Sequence, residues 1–204
     1  ILSQVAQVDQ RPGLSPEELV SVIGDYDGLM IRSGTQVTAE VIAAASKLKI
    51  IGRAGVGVDN VDVPAATQRG VLVVNSPEGN TIAAAEHALA MMLSLSRHVP
   101  QAHAGMRAGK WDRKKYVGNE LYKKTLGVVG LGKIGSHVAR VARAMGMEVI
   151  AYDPFIAADR AQQMQVRLTE LDELFRTADY VTLHIPRTKD TENLVNAELL
   201  RTMK

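Results

Sequence analysis

The glycines at 130, 132 and 135 mark the first place where this sequence could do chemistry. Leu126-Gly-Val-Val-Gly130-Leu-Gly132-Lys133-Ile134-Gly135 joins a β-branched run to an Ala-rich helical pattern through a Gly-x-Gly-x-x-Gly turn. Such a turn lets backbone approach a pyrophosphate. Gly130 permits the bend, Gly132 leaves room for the phosphates, and Gly135 lets the helix close on the strand. The first-turn amides of that helix lack internal partners and point at the anion. In a chain with 17 glycines among 204 residues, roughly 0.1 chance matches are expected, so context must carry the assignment. The helix pattern ends near Gly146, and the next apolar run, Met147–Tyr152, delivers Asp153, 18 positions after Gly135. An acid there accepts from ribose 2′- and 3′-hydroxyls and repels an added 2′-phosphate. No arginine immediately follows it, so NAD is expected over NADP.

A second constellation is Arg53-Ala54-Gly55-Val56-Gly57, directly after a predicted strand. Consecutive amides with two glycines can form an anion-holding nest at the carboxyl end of a parallel strand. Arg53 and Arg32, each near a strand end, could hold a carboxylate or phosphate. Arg113, Lys114 and Lys115 stand beside Trp111 and read as a solvated loop or as further anion ligands. The five histidines form no metal set: His98 and His103 lack the His-Glu-x-x-His pattern, and His87 sits in an Ala-rich helix where packing is the expected role. Only His184, ending a strand beside the expected cofactor cleft, is site-adjacent.

The bulk composition closes off other classes. There is no cysteine, which excludes disulfides, thiolate zinc sites and a cysteine nucleophile. A net charge of +2 with one short basic run and few aromatics gives no nucleic-acid face. The chain has no 18-residue apolar run and no signal-peptide pattern, so no membrane partner and a cytoplasmic location are expected. The first residue is Ile1 rather than Met, which leaves a removed leader open.

The elements that must position these residues alternate. Val5–Val8 reads as a short strand. Ser15, Pro16 and Glu18 form a capping box opening a helix that Gly24 ends. Strands near 28–31, 49–52 and 71–74 alternate with helices at 38–46 and 63–69, a βα rhythm that feeds a parallel sheet. Asn75-Ser-Pro77-Glu-Gly79 breaks the rhythm and reads as a domain crossing. Thr81–Arg97 is a long Ala/Met/Leu helix, apolar on most sides and therefore expected to be buried. Pro100 is expected to interrupt it before a second piece running to Gly109. After the glycine unit come a helix capped at Thr169, a strand from Tyr180 to Pro186 and a last helix at 197–203. The fold class is α/β with two doubly wound parallel-sheet domains, at 1–76 and 77–204, the second including a helical segment at 81–121. Only three strands are clear in the second block, at 126, 147 and 180, so both sheets read as incomplete.

Gly52-Arg-Ala-Gly-Val-Gly-Val-Asp-Asn60, Asn75-Ser-Pro77, Ala85-Glu-His87, the glycine fingerprint with Tyr152-Asp-Pro154, and His184-Ile185-Pro186 together resemble the D-isomer-specific 2-hydroxyacid dehydrogenase family. Gly109–Lys115 and Gly118–Leu121 are similar to its branch acting on 3-phosphoglycerate. The resemblance implies a flavodoxin-like substrate domain, a Rossmann NAD-binding domain, and oxidation of 3-phospho-D-glycerate to 3-phosphohydroxypyruvate, the first step of serine biosynthesis. It implies that Val56, Lys133, Ile134 and the three glycines meet the cofactor, that Asp153 takes the adenosine ribose, and that His184, Ile185, Pro186 and Thr191 line the adenine and ribose side. Arg32, Arg53, Ala54, Gly55, Val56, Gly57 and Arg113 would meet the phosphorylated hydroxy acid. The family's catalytic arginine, glutamate and histidine would lie beyond Lys204, so no turnover is expected from this chain alone. Helix 81–97 and the Trp111 loop would form a homodimer surface, within a dimer or tetramer. Two alternatives remain: a sister dehydrogenase for glycerate, glyoxylate or lactate, and an NAD-sensing scaffold on the same fold.

Overall fold

A computed structural model describes residues 2–204 and divides the chain into two units, one running to Asn80 and one from Thr81 to Lys204.

In the first unit, Ser15 starts α1 (Pro16–Val22) by a reciprocal cap: its hydroxyl accepts from the Glu18 amide, and the Glu18 carboxylate accepts from the Ser15 amide. β1 (Gly28–Ile31), α2 (Ala39–Ala44), β2 (Ile50–Arg53), α3 (Val63–Gln68) and β3 (Leu72–Asn75) follow. Thr38 and Asp62 cap α2 and α3 through their side-chain oxygens. The strands are parallel in the order β1-β2-β3, and their register aligns Ile31, Arg53 and Asn75 at the carboxyl edge. Strand side chains alternate. Leu29, Ile31, Ile51 and Val73 join a core with Leu19, Ile23, Val41, Ile42 and Ala66. Met30, Ile50, Leu72 and Val74 point the other way and are exposed. The strand expected at Val5–Val8 does not form. Both valines are exposed, and among the described residues no strand pairs with them, so the β-branched pair has neither a ladder nor a covered face.

The second unit opens with α4 (Thr81–Ser96) and α5 (Val99–Arg107). It continues through β4 (Thr125–Val129), α6 (Lys133–Ala144), β5 (Glu148–Tyr152), α7 (Ala158–Gln163), β6 (Arg167–Leu168), α8 (Leu171–Thr177), β7 (Tyr180–Leu183) and α9 (Ala197–Arg201). All four strands are parallel, in the order β6-β5-β4-β7. β4 is buried along its whole length. One face of the sheet, with Leu126, Val128, Val149 and Ala151, packs on α6 and α4. The other, with Val129 and Ile150, packs on Leu174 and Phe175 of α8 and Leu199 of α9. The chain therefore adds strands outward from β4 to β6, then crosses under the sheet and adds β7 on the opposite side of β4. That reversal between β4 and β7 is the topological switch point where open α/β sheets bind ligands.

Several local expectations change. The sheet gains a two-residue edge strand, β6, too short to leave a periodic signal. Helix α4 is not buried all round: Ala85, Ala88, Leu89 and Met92 pack inward, while Ile82, Met91 and Leu95 are exposed. The helix break falls at His98, whose φ is 51°, and Pro100 sits in the first turn of α5, where its missing N–H costs nothing. Glu170, not Thr169, occupies the N-cap of α8, without a side-chain cap bond. β7 ends at Leu183 rather than Pro186, because only the His184 amide still reaches β4, at Val129 O. None of the described helices is long and apolar enough to cross a membrane.

Asp179 fixes the start of β4 and of its neighbour β7. Its carboxylate accepts from the Thr125 amide at 2.8 Å and faces Lys204 Nζ at 3.5 Å. The amide bond foremost, then the lysine charge, holds its carboxyl below the usual value. A carboxylate depressed in the folded state stabilises above its unfolded pKa and loses that contribution as pH falls through the folded value. Asp179→Asn should therefore lower stability by about 1–2 kcal/mol at pH 7. The difference from wild type should shrink in urea titrations as pH falls below the ordinary aspartate value of 3.8.

Candidate functional site

The carboxyl ends of β4, β5 and β7 converge on the glycine turn. Gly130 adopts φ 93°, a left-handed value that an L side chain rarely takes. A Cβ there would lie 2.7 Å from the His184 carbonyl oxygen and from Ile185 Cγ2, so the segment after β7 closes directly on the turn. A Cβ at Gly135 would run into the Gly130 carbonyl oxygen, which is why the first turn of α6 can abut the end of β4. A Cβ at Gly132 would meet nothing within 4 Å: the turn is open at the position where phosphates need room. Lys133 and Ile134 begin α6, and the amides of its first turn have no acceptor within the helix. The residues present thus fit a dinucleotide: an open cradle and a helix N-terminus suit its pyrophosphate, and a flanking acid suits a ribose.

That acid is Asp153, half-buried just past β5. Its Oδ2 accepts from the Leu131 amide inside the turn at 2.7 Å, and its Oδ1 accepts from the Phe155 amide at 2.9 Å. Each oxygen keeps acceptor capacity for a hydroxyl. Asp153 therefore has two jobs, bracing the turn and presenting a carboxylate beside it; Ser136 adds a second brace by donating to the Leu131 carbonyl. His184 is half-buried, and burial pushes its pKa down, so the imidazole is neutral at pH 7. Its Nε2 lies 2.9 Å from Thr182 Oγ1. Thr191 donates to the Pro186 carbonyl and accepts from the Thr188 amide, closing the loop that carries Ile185 and Pro186 forward.

In the first unit, Arg32 and the Arg53–Gly57 loop come together at the carboxyl edge of β1 and β2. The Ala54 amide donates to Ile31 O, the Ser76 amide donates to Gly55 O, and Asn75 Nδ2 donates to Val56 O at 2.6 Å. The Arg53 guanidinium folds back over Gly55, and its Nε is buried without a hydrogen-bond partner. A buried cationic donor with no acceptor, set in a loop of glycine amides, suits an anion. Arg32 is exposed, and the turn it starts is gripped by Asn60, whose Nδ2 donates to Arg32 O at 2.9 Å and to Thr35 O at 2.6 Å. Arg113 lies in the second unit, at the start of an exposed 3-10 turn, Arg113–Tyr116. Sequence reasoning quoted Asn60 and Asn75 within motifs but assigned them no role. The available signal was position: an amide side chain beside a glycine loop at a strand end can satisfy backbone that no ladder reaches.

The family model described as D-isomer specific 2-hydroxyacid dehydrogenase, NAD binding domain, matches residues 89–204. A curated D-3-phosphoglycerate dehydrogenase of Synechocystis sp. is 63% identical over 204 residues, covering 100% of this chain and 37% of its own length. Among solved structures, the TT0316 protein of Thermus thermophilus superposes with TM-score 0.89 at 35% identity, over 97% of this chain and 63% of that one. The D-lactate dehydrogenase of Aquifex aeolicus, complexed with NAD and lactic acid, gives TM-score 0.81 at 30% identity, over 91% and 56%. The chain thus spans little more than a third of that curated relative's length.

Gly130→Ala should lower NADH affinity at least tenfold, because it strains φ and pushes the His184 carbonyl out of place. Fluorescence titration checks this, and a thermal melt should show the variant still folded.

Proposed function

The chain belongs to the D-isomer specific 2-hydroxyacid dehydrogenase family, and on that premise we propose that it serves NAD-dependent oxidation of 3-phospho-D-glycerate to 3-phosphohydroxypyruvate, the first step toward serine. Bound NAD supplies the hydride acceptor. The chain's own residues supply binding and orientation. The amides of the glycine turn and of α6 hold the pyrophosphate, and Asp153 takes the adenosine ribose hydroxyls. His184, Ile185, Pro186 and Thr191 wall the adenine and ribose side. The Arg53–Gly57 amides take the substrate carboxylate, Arg32 and Arg53 are candidate cations for its phosphate, and Arg113 is the candidate from a neighbouring subunit. No residue among those described is assigned the proton transfer. Two exposed features, the apolar flanks of α4 (Ile82 on one, Met91 and Leu95 on the other) and Trp111 at 70% exposure, support a homodimer surface. A cytoplasmic location accords with this chemistry.

The observation that carries the reading is Arg53: a half-buried guanidinium with an unpartnered Nε over Gly55, at the carboxyl edge of a parallel sheet. The first test is an NADH titration on wild type and Asp153→Ala, with NADPH as control. Binding that weakens about tenfold or more in the variant, and a preference for NADH that narrows, is expected. In the complete protein, Arg113→Ala should raise KM for 3-phosphoglycerate by about tenfold. An unchanged KM would point to glycerate, glyoxylate or lactate as substrate. NADH binding without turnover of any hydroxy acid would point to an NAD-sensing scaffold.

A further inference from the structure

We propose that Asn60 is a positioning residue of the hydroxy-acid site, acting through Arg32; this rests on the function proposed above. Asn60 is 4% exposed, so its amide is effectively out of water. Both bonds from Nδ2 go to one turn, at its first and last carbonyls, Arg32 O and Thr35 O. The orientation of the side chain is thereby determined, since the flipped amide would set Oδ1 against two carbonyl oxygens. The turn has little else to hold it: its own Thr35 amide to Arg32 O contact is long, at 3.4 Å. The Asn60 backbone is anchored separately. Its carbonyl accepts from the Val37 amide at 2.8 Å, the Asp62 amide donates to Val37 O, and Val37 and Val61 form a parallel bridge. The side chain is therefore a strut between a fixed point and the turn carrying Arg32.

The strut also spans the two loops that must cooperate. Asn60 follows the Arg53–Gly57 nest by three residues, and Arg32 follows β1. The hydrogen bond from the Ala54 amide to Ile31 O joins the loops at their base, and the Asn60 amide joins them further out. An exposed arginine on an untethered turn would sample many positions. Held at its carbonyl, Arg32 starts from one place relative to the nest, which lowers the ordering cost when an anionic substrate arrives. Asn60 Oδ1 is buried and makes no hydrogen bond. It contributes nothing to the clamp, so the donor half of the amide is the functional half.

The test uses the complete protein with Asn60→Asp, Asn60→Ser, Arg32→Ala and the double variant Asn60→Asp/Arg32→Ala. Asn60→Asp keeps the shape and removes both donors; Asn60→Ser keeps one donor on a shorter arm. Asn60→Asp should raise KM for 3-phosphoglycerate by about tenfold, with kcat within a few-fold and the NADH Kd unchanged. Asn60→Ser should fall between it and wild type, and Asn60→Asp should add nothing to KM once Arg32 is alanine. Additive effects in the double variant, a loss in kcat alone, or an unchanged KM in Arg32→Ala would each overturn the proposal. If Asn60→Asp does not melt cooperatively, Asn60→Ser decides: a raised KM with unchanged NADH Kd is expected, and wild-type KM overturns the role. A wild type that turns over no hydroxy acid defeats the proposed function itself, before any variant is compared, and this inference with it.

Discussion

The first turn of α6 stands against the end of β4 because residue 135 has no side chain. That close approach, of Gly135 to the Gly130 carbonyl, shapes the glycine turn at the sheet's carboxyl edge. It brings the first-turn amides of α6 to the switch point between β4 and β7, where strand order reverses and the sheet leaves a crevice. Burying β4 on both faces fixes where the turn begins. The positive φ of Gly130 then aims it, and the absence of any neighbour around Gly132 keeps it open. Asp153 completes the arrangement from β5. It satisfies a turn amide with one oxygen and leaves acceptor capacity beside it, so bracing and recognition come from the same carboxylate.

The two units shape their strand-end loops by different means. The second uses absent side chains: glycine lets backbone pack on backbone, with one carboxylate as a brace. The first uses amides. Asn75 holds Val56, Asn60 holds the Arg32 turn, and Ser76 holds Gly55 through its backbone N–H. The difference suits the ligands proposed. A pyrophosphate is recognised by backbone N–H groups and needs space more than charge. A small hydroxy acid with a phosphate needs cations, and long cationic side chains require their backbone to be fixed if their heads are to be placed.

Much of this was legible in the sequence, and the reasons differ by element. The capping box at Ser15–Glu18, the Gly-x-Gly-x-x-Gly turn and the strand spacing of 21 to 22 residues are local signals, so residue types alone revealed them. The family resemblance on motifs at 152–154 and 184–186 agrees with the match over residues 89–204, and the motif at 52–60 lies in the stretch that the curated relative also covers. What did not read through depends on pairing. Val5 and Val8 have strand chemistry without a partner strand, while β6 is too short to show a period and exists because β5 offers an edge. The roles of Asn60 and Asn75 appear only with the carbonyls they meet, 19 to 28 positions away in the chain.

Helix α4 shows why periodicity misleads when nearly every position is small or apolar. Ala85, Ala88, Leu89 and Met92 lie on one stripe and pack against the α6 side of the sheet. Ile82 lies on one flank of that stripe and Met91 and Leu95 on the other, and all three remain in water. Glu86, His87 and Ser94 mark the face opposite the core, too few polar positions to set it apart from the apolar flanks. The same holds for the first sheet, where Met30, Ile50, Leu72 and Val74 alternate with buried neighbours but are themselves apolar. Each exposed apolar side chain forgoes the stabilisation that burial brings. Apolar residues at buried and exposed positions alike blur the helical period and the strand alternation, so the covered face is set by packing and is not announced by the pattern.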